Sequence, residues 1–146
     1  RGTAAIANAR VAHEAFTETL ATDRWSALAA QGAHVQRPLW ASTGVKDPAY
    51  DDTRYVVDLV TADVVNTMPE ATLDAVRDHG VVSGDTIVPQ YAAAHAALDA
   101  LTAAGIDLDD VVQVLEEEGV EKFVASWEQL LTSVTSALDA ARPSAG

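Results

Sequence analysis

The chain has 146 residues and carries 22 acidic against 9 basic side chains, a net charge of −13 at pH 7. Such an acidic surface repels nucleic acid and anionic membranes, so neither is an expected partner. Cysteine is absent, which excludes disulfides, thiolate nucleophiles and cysteine-rich zinc sites and favours a cytoplasmic location. No apolar run approaches the ~20 residues that cross a bilayer, and no stretch is typical of a signal peptide.

The first half of the chain alternates helical and strand-like segments. Apolar spacing, β-branched runs and turn residues assign, in chain order, a helix over 3–20, a helix over 23–31, a strand over 37–42, a loop over 43–52, a helix over 53–61 and a strand over 64–67. This order predicts an α/β fold with a parallel sheet.

The second half is predicted to be helical. Thr67 and Glu70 have the spacing of a capping box, so a helix is expected to start there and to end at Gly80. After an irregular connection, the pattern predicts helices over 89–104, from Asp107 to Gly119, and over 120–141. The last helix has a 3–4 apolar spacing that includes Trp127, so this stripe is expected to pack in a core.

Two strands are too few for a stable parallel sheet, because such sheets are buried on both faces. The chain is therefore expected either to complete its sheet against another chain or to be cut from a longer one. Its N-terminus opens directly into a helical pattern, as if the chain were cut from a longer one.

The segments that follow the two predicted strands are the candidate functional sites, because functional residues of α/β folds lie beyond the carboxyl ends of strands. Ser42, Thr43 and Lys46 follow the first strand and have the composition of a phosphate-binding loop. A polar loop with a solvated lysine is the simpler alternative from spacing alone. After the second strand, Asn66 could donate to a substrate or cap the next helix. Trp40 is interpreted as a core residue or as the wall of a pocket.

Lysine chemistry is the other question, because the chain has only Lys46 and Lys122. A Schiff-base lysine needs desolvation or a cationic neighbour to lower its pKa. Lys46 precedes Asp47 and Lys122 follows Glu121, so neither is interpreted as the nucleophile. The four histidines are scattered without metal-ligand spacing, and no metal site is predicted.

The run RPLWASTGVKDP at 37–48 resembles a transaldolase of the actinobacterial type. The similarity extends over essentially the whole chain, through GTAAIANAR at 2–10, VNTMPEATL at 65–73 and GVEKF at 119–123. It implies an eight-stranded βα barrel that transfers a dihydroxyacetone unit from a ketose phosphate to an aldose phosphate in the pentose phosphate pathway. The family uses a lysine Schiff base and no cofactor.

The resemblance also implies how this chain fits that enzyme. It matches the C-terminal part of a (β/α)8 TIM barrel, with the last two strands and their helices in 1–88. Residues 89–146 are a helical extension that packs on the barrel within the same domain. The Schiff-base lysine then lies upstream, in an N-terminal part of the barrel that is the expected partner, and the isolated chain is predicted to be inactive.

For the site, the resemblance implies contacts with the phosphate of sugar-phosphate substrates. Ser42 matches the family's phosphate-binding serine, and Lys46 is the candidate cation, two residues later than in relatives. Trp40, Thr43 and Asn66 are predicted to line the pocket. The competing hypothesis is a non-enzymatic helical module that docks a partner through the helices of 89–141, and cooperative folding of the isolated chain would favour it.

Overall fold

The computed structural model describes residues 2–142, and most of them are helical. In chain order the elements are α1 (Ala4–Leu20), α2 (Asp23–Ala30), β1 (Leu39–Trp40), α3 (Arg54–Val57), β2 (Val65–Asn66), α4 (Glu70–His79), a 3-10 turn (Val88–Gln90), α5 (Tyr91–Ala103) and α6 (Leu108–Ala141). The predicted order of helices and strands is confirmed up to α5, whereas the two helices predicted from Asp107 to Gly119 and over 120–141 form one helix. Both strands and α3 are shorter than their sequence patterns indicate.

The described residues form two compact units, which divide between Ala104 and Gly105. The first unit holds α1 to α5 and the sheet, and α5 packs along α1 within it. The second unit is α6. The predicted division at 88/89 and the packing of residues 89–146 on a barrel remain predictions.

The sheet is a single parallel pair in the described part of the chain. Leu39 lies opposite Val65, and Trp40 lies opposite Asn66. The backbone N–H of Thr67 donates to the Trp40 carbonyl at 3.0 Å, beyond the last residue pair. Both strands therefore end at the same level, and their following loops begin side by side.

The core of the first unit is small and includes a contact with Trp40 of β1. Ile6, Leu59 and Ile87 are its buried side chains, and Trp40 and Tyr55 pack against them as partly buried neighbours. Each fully buried aliphatic side chain contributes about 1.5–3 kcal/mol. The core therefore connects α1 to the residues that flank the candidate loop.

Of three expectations about α6, one is wrong, one remains a prediction and one is confirmed. The helix runs through Gly119 without a break, because a glycine inside a helix costs only about 1 kcal/mol and the flanking residues are helix formers. Trp127 is 58% exposed among the described residues, and the packing of its apolar stripe against a barrel remains a prediction. The cap at Asp107 is confirmed, because its side chain accepts from the backbone N–H groups of Asp109 and Asp110.

The prediction that Thr67 and Glu70 form a capping box at the start of α4 is also wrong. Pro69 occupies the cap position without a side-chain hydrogen bond, because Thr67 is already bonded to the Trp40 carbonyl across the sheet. Gly80 ends the helix as predicted, yet its φ of −63° is not left-handed. Glycine is required there because a Cβ would lie 2.6 Å from the Val76 carbonyl oxygen.

No described helix combines the length and the apolar character that a membrane crossing requires.

His79 joins the end of α4 to the loop that follows β1. Its Nε2 lies 2.8 Å from Asp52 Oδ1, and its Nδ1 lies 3.2 Å from Asp78 Oδ2. The hydrogen bonds to Asp52 and then Asp78 raise the pKa of His79 above its ordinary value. The charged imidazole therefore stabilises the folded chain.

Replacing Asp52 by Asn tests this link. Charged His79 contributes stability that is fully present below its unfolded pKa of about 6.5 and is lost as pH rises through the raised folded pKa. We expect Asp52→Asn to lower the pKa of His79, measured by NMR titration, and to flatten the pH dependence of unfolding above pH 6.5. Asp74→Asn, on the same helix, is the charge-matched control. An unchanged His79 pKa in Asp52→Asn would contradict the link.

Candidate functional site

A cleft of about 470 Å³ lies at the carboxyl end of β1. It is bounded by α1, by β1 with the loop that follows it, and by the segment around α3. The lining side chains from outside β1 and its loop are Ala5, Ala9, Tyr55 and Leu59. The cleft is therefore placed where the chain order and the strand direction predict a functional site.

Four of the five residues singled out from sequence meet in this cleft. Trp40, Ser42, Thr43 and Lys46 line it, whereas Asn66 is not one of its lining residues. Trp40 also packs against the core, so its two interpretations, core and pocket wall, are compatible. Contact of any of these side chains with a ligand remains a prediction.

Ser42 has a left-handed backbone, with φ at +56°. This conformation crowds the Cβ of an L-residue, and it persists only where the surrounding structure holds it. Residues held this way concentrate at ligand sites. Nothing in the local sequence indicates it, because serine does not favour positive φ as glycine does.

Asn66 holds the residue next to Ser42. The Thr43 hydroxyl donates to Asn66 Oδ1 at 2.8 Å, and Asn66 Nδ2 donates to the Tyr55 carbonyl at 3.1 Å. Thr43 is only 4% exposed, so its hydroxyl is committed to this bond. The interpretation of Asn66 as the cap of α4 is wrong, since Pro69 occupies that position.

Lys46 is the cation that lines the cleft. Lys46 is exposed, and none of the salt bridges of residues 2–142 involves it. Its neighbour Asp47 instead accepts from the backbone N–H of Ala49 at 2.9 Å. A positive charge with no carboxylate partner is suited to an anionic ligand group.

Lys122 has a different setting in α6. Its Nζ donates to Glu118 at 2.8 Å, and its side chain is 74% exposed. The hydrogen bond from Lys122 lowers the pKa of Glu118. Neither lysine is desolvated, so the geometry fits the interpretation that neither is an amine nucleophile.

Sequence reasoning missed the opposite wall of the cleft. The Arg54 guanidinium lies 4.6 Å from the ring centroid of Tyr50 and 5.5 Å from that of Tyr55, within cation–π range. It also donates to the Gly2 carbonyl at 2.6 Å. Tyr50 lies in the loop before α3, so no helical spacing in the sequence indicated its contact with Arg54.

Residues 2–142 contain no group of three His, Asp or Glu side chains placed to hold a metal ion.

The transaldolase/fructose-6-phosphate aldolase family model matches residues 1–134 of this chain. The chain is 59% identical over 143 residues to the transaldolase of Acidothermus cellulolyticus, which covers 98% of this chain and 38% of that protein. It is 60% identical over 142 residues to the transaldolase of Saccharopolyspora erythraea, with 97% and 39% covered. Transaldolase 2 of Streptomyces avermitilis is 58% identical over 146 residues, with 100% and 39% covered.

The chain thus spans under two fifths of the length of these relatives. The matches run along the whole chain, α6 included, and give no support to a separate helical interaction module. Family model and relatives agree with the transaldolase resemblance that the motif at 37–48 carries. The chain belongs to the transaldolase/fructose-6-phosphate aldolase family.

Proposed function

We propose that this chain is the part of a transaldolase that binds the phosphate of the substrate and closes the barrel. In the complete enzyme, a dihydroxyacetone unit passes from a ketose phosphate to an aldose phosphate through a Schiff base. The lysine of that Schiff base lies outside this chain, in the N-terminal part of the same barrel. Residues 1–88 supply the last two βα units of a (β/α)8 barrel, and residues 89–146 supply a helical extension.

Two features support the barrel. A parallel pair of strands needs further strands and covering layers to be stable, and this chain's pair is open to receive them. The apolar stripe of α6, which includes the exposed Phe123, Trp127 and Leu131, needs a surface to cover it. Both needs are met when the chain joins the rest of a barrel.

The observation that carries phosphate binding is the loop after β1. It combines the strained Ser42 backbone, the Ser42 hydroxyl and the unpaired Lys46 at the carboxyl end of a parallel strand, where barrel enzymes hold phosphate. Local cations can act against a net charge of −13 because charges beyond about 10 Å are screened at 0.1 M salt. We also propose a cytoplasmic location, since charged sugar phosphates stay in the compartment where they are made.

The test needs a full-length enzyme that contains this chain. We suggest a chimera in which this chain replaces the matching segment of the Acidothermus cellulolyticus transaldolase, to which it is 59% identical. We expect Lys46→Ala to raise KM for fructose 6-phosphate about tenfold or more, with little change in kcat, because it removes binding common to ground and transition states. Steady-state kinetics measure both constants.

Two further variants complete the Lys46 test. Lys46→Arg keeps the charge and is expected to recover part of the affinity. Arg24→Ala removes an exposed cation on α2 and should leave both constants unchanged. Unchanged KM in Lys46→Ala would remove Lys46 from the site.

Ser42 is tested with a matched pair, Ser42→Ala and Ser42→Gly. Both substitutions remove the hydroxyl, whereas only glycine relieves the positive φ, a difference of about 1 kcal/mol in stability in favour of glycine. We expect both variants to raise KM for fructose 6-phosphate and Ser42→Gly to unfold at the higher temperature. If KM is unchanged in both variants, the Ser42 hydroxyl does not contact phosphate.

Borohydride trapping tests whether the catalytic lysine lies outside this chain. With fructose 6-phosphate and sodium borohydride, the chimera should gain one dihydroxyacetone adduct on a lysine outside the segment, read by peptide mass spectrometry. The isolated 146-residue chain should gain none. An adduct on Lys46 or Lys122 would contradict the proposed division of roles.

A further inference from the structure

Asn66 connects three parts of the site without lining the cleft. Its Oδ1 accepts from Thr43 in the loop after β1, and its Nδ2 donates to the Tyr55 carbonyl in α3. Asn66 itself is the last residue of β2 and pairs with Trp40 in the sheet. The Asn66 carboxamide therefore links the loop after β1, the end of the sheet and the wall of the cleft that contains Tyr55.

The chemistry of these two bonds requires a carboxamide of this length. The Thr43 hydroxyl needs an acceptor, and the Tyr55 carbonyl needs a donor. An aspartate at position 66 would accept from Thr43 but would set a second acceptor against the Tyr55 carbonyl. A leucine would leave both groups without a partner, and unpaired buried polar groups destabilise the conformation that contains them.

The loop is held at three consecutive residues beside this carboxamide. Ser42 has the left-handed backbone, with φ at +56°. Thr43 is buried and bonded to Asn66. A Cβ on Gly44 would lie 3.1 Å from the Pro69 ring, so this glycine packs closely against the segment after β2. The bond from Thr43 is the one polar link among these restraints, and it lies next to the strained residue.

We propose that Asn66 is a positioning residue of the phosphate site and does not touch the substrate. It holds the loop after β1 in the conformation in which Ser42 and Lys46 take the phosphate group of a sugar phosphate. Through Tyr55 it also fixes the loop relative to the opposite wall of the cleft. The inference rests on the proposed phosphate binding by this loop, and it replaces the expectation that Asn66 lines the pocket.

A role through Thr43 differs measurably from direct contact. If Asn66 acts through the Thr43 hydroxyl, removing either partner breaks the same link, and removing both adds little. If Asn66 contacts the substrate itself, the effects of the two substitutions multiply. A general loss of folding would reduce activity on every substrate to the same extent.

The experiment uses the chimeric full-length enzyme with Thr43→Val, Asn66→Leu and the double variant. The readout is kcat/KM for fructose 6-phosphate divided by kcat/KM for unphosphorylated fructose. We expect each single variant to lower this ratio about fivefold or more through the phosphorylated substrate, and the double variant to match the singles within about twofold. Thr43→Ser keeps the hydroxyl and should restore the ratio of the native chain.

Control variants distinguish loss of the Thr43–Asn66 link from loss of folding. Thr43→Val is nearly isosteric and tests the link if Asn66→Leu fails to fold, and Asn66→Asp keeps the shape while losing the donor to Tyr55. Gln31→Leu removes a carboxamide that donates to the Ala27 carbonyl on α2 and should leave the ratio unchanged. An equal loss on both substrates, an unchanged ratio in Thr43→Val, or multiplying effects in the double variant would each overturn the inference.

The Ser42 and Lys46 variants test phosphate binding by the loop separately from the positioning role of Asn66. If Ser42→Ala and Lys46→Ala lower the ratio while Thr43→Val does not, phosphate binding stands and the positioning role fails. If Ser42→Ala and Lys46→Ala leave the ratio unchanged, the loop does not bind phosphate and both levels fail.

Discussion

The pairing of Trp40 with Asn66 at the end of the sheet is the constraint on which the site depends. It brings the loop after β1 against the segment after β2, and only then can the Thr43 hydroxyl reach the Asn66 carboxamide. That bond lies beside the left-handed Ser42, whose strain needs support from its surroundings. A short piece of parallel sheet therefore determines the shape of a loop that carries most of the site's polar groups.

The same sheet limits what the chain does by itself. The buried core cluster of the first unit consists of Ile6, Leu59 and Ile87, while the 34-residue α6 presents an apolar stripe that no residue of its own unit covers. A parallel pair and an open stripe both call for more protein around them. The span of under two fifths of the relatives' length agrees with that requirement.

Sequence patterns predicted what is determined locally. Periodicity located the helices, and Asp107 was identified as a cap because its partners are two and three residues away. Predictions failed where tertiary contacts decide: Thr67 bonds across the sheet and is not free to cap α4. The hydrogen bonds of Asn66 could not be predicted from the sequence for the same reason, since the strand register places Thr43 and Tyr55 around it. The motif at 42–46 located the loop, but nothing in it indicated the positive φ of Ser42.

The chain is strongly acidic, yet Lys46 in the loop after β1 forms no salt bridge within residues 2–142. Carboxylates follow Lys46 closely in sequence, yet each of two has a local partner. Asp47 accepts from the Ala49 N–H, and Asp51 accepts from the hydroxyl and the N–H of Thr53, bonds that lower the pKa of Asp51. Both carboxylates accept hydrogen bonds within their own turns, and neither forms an ion pair with Lys46. A phosphate bound as proposed would meet the Lys46 ammonium, which forms no salt bridge within residues 2–142, a hydroxyl on a fixed backbone and acidic groups that have other partners.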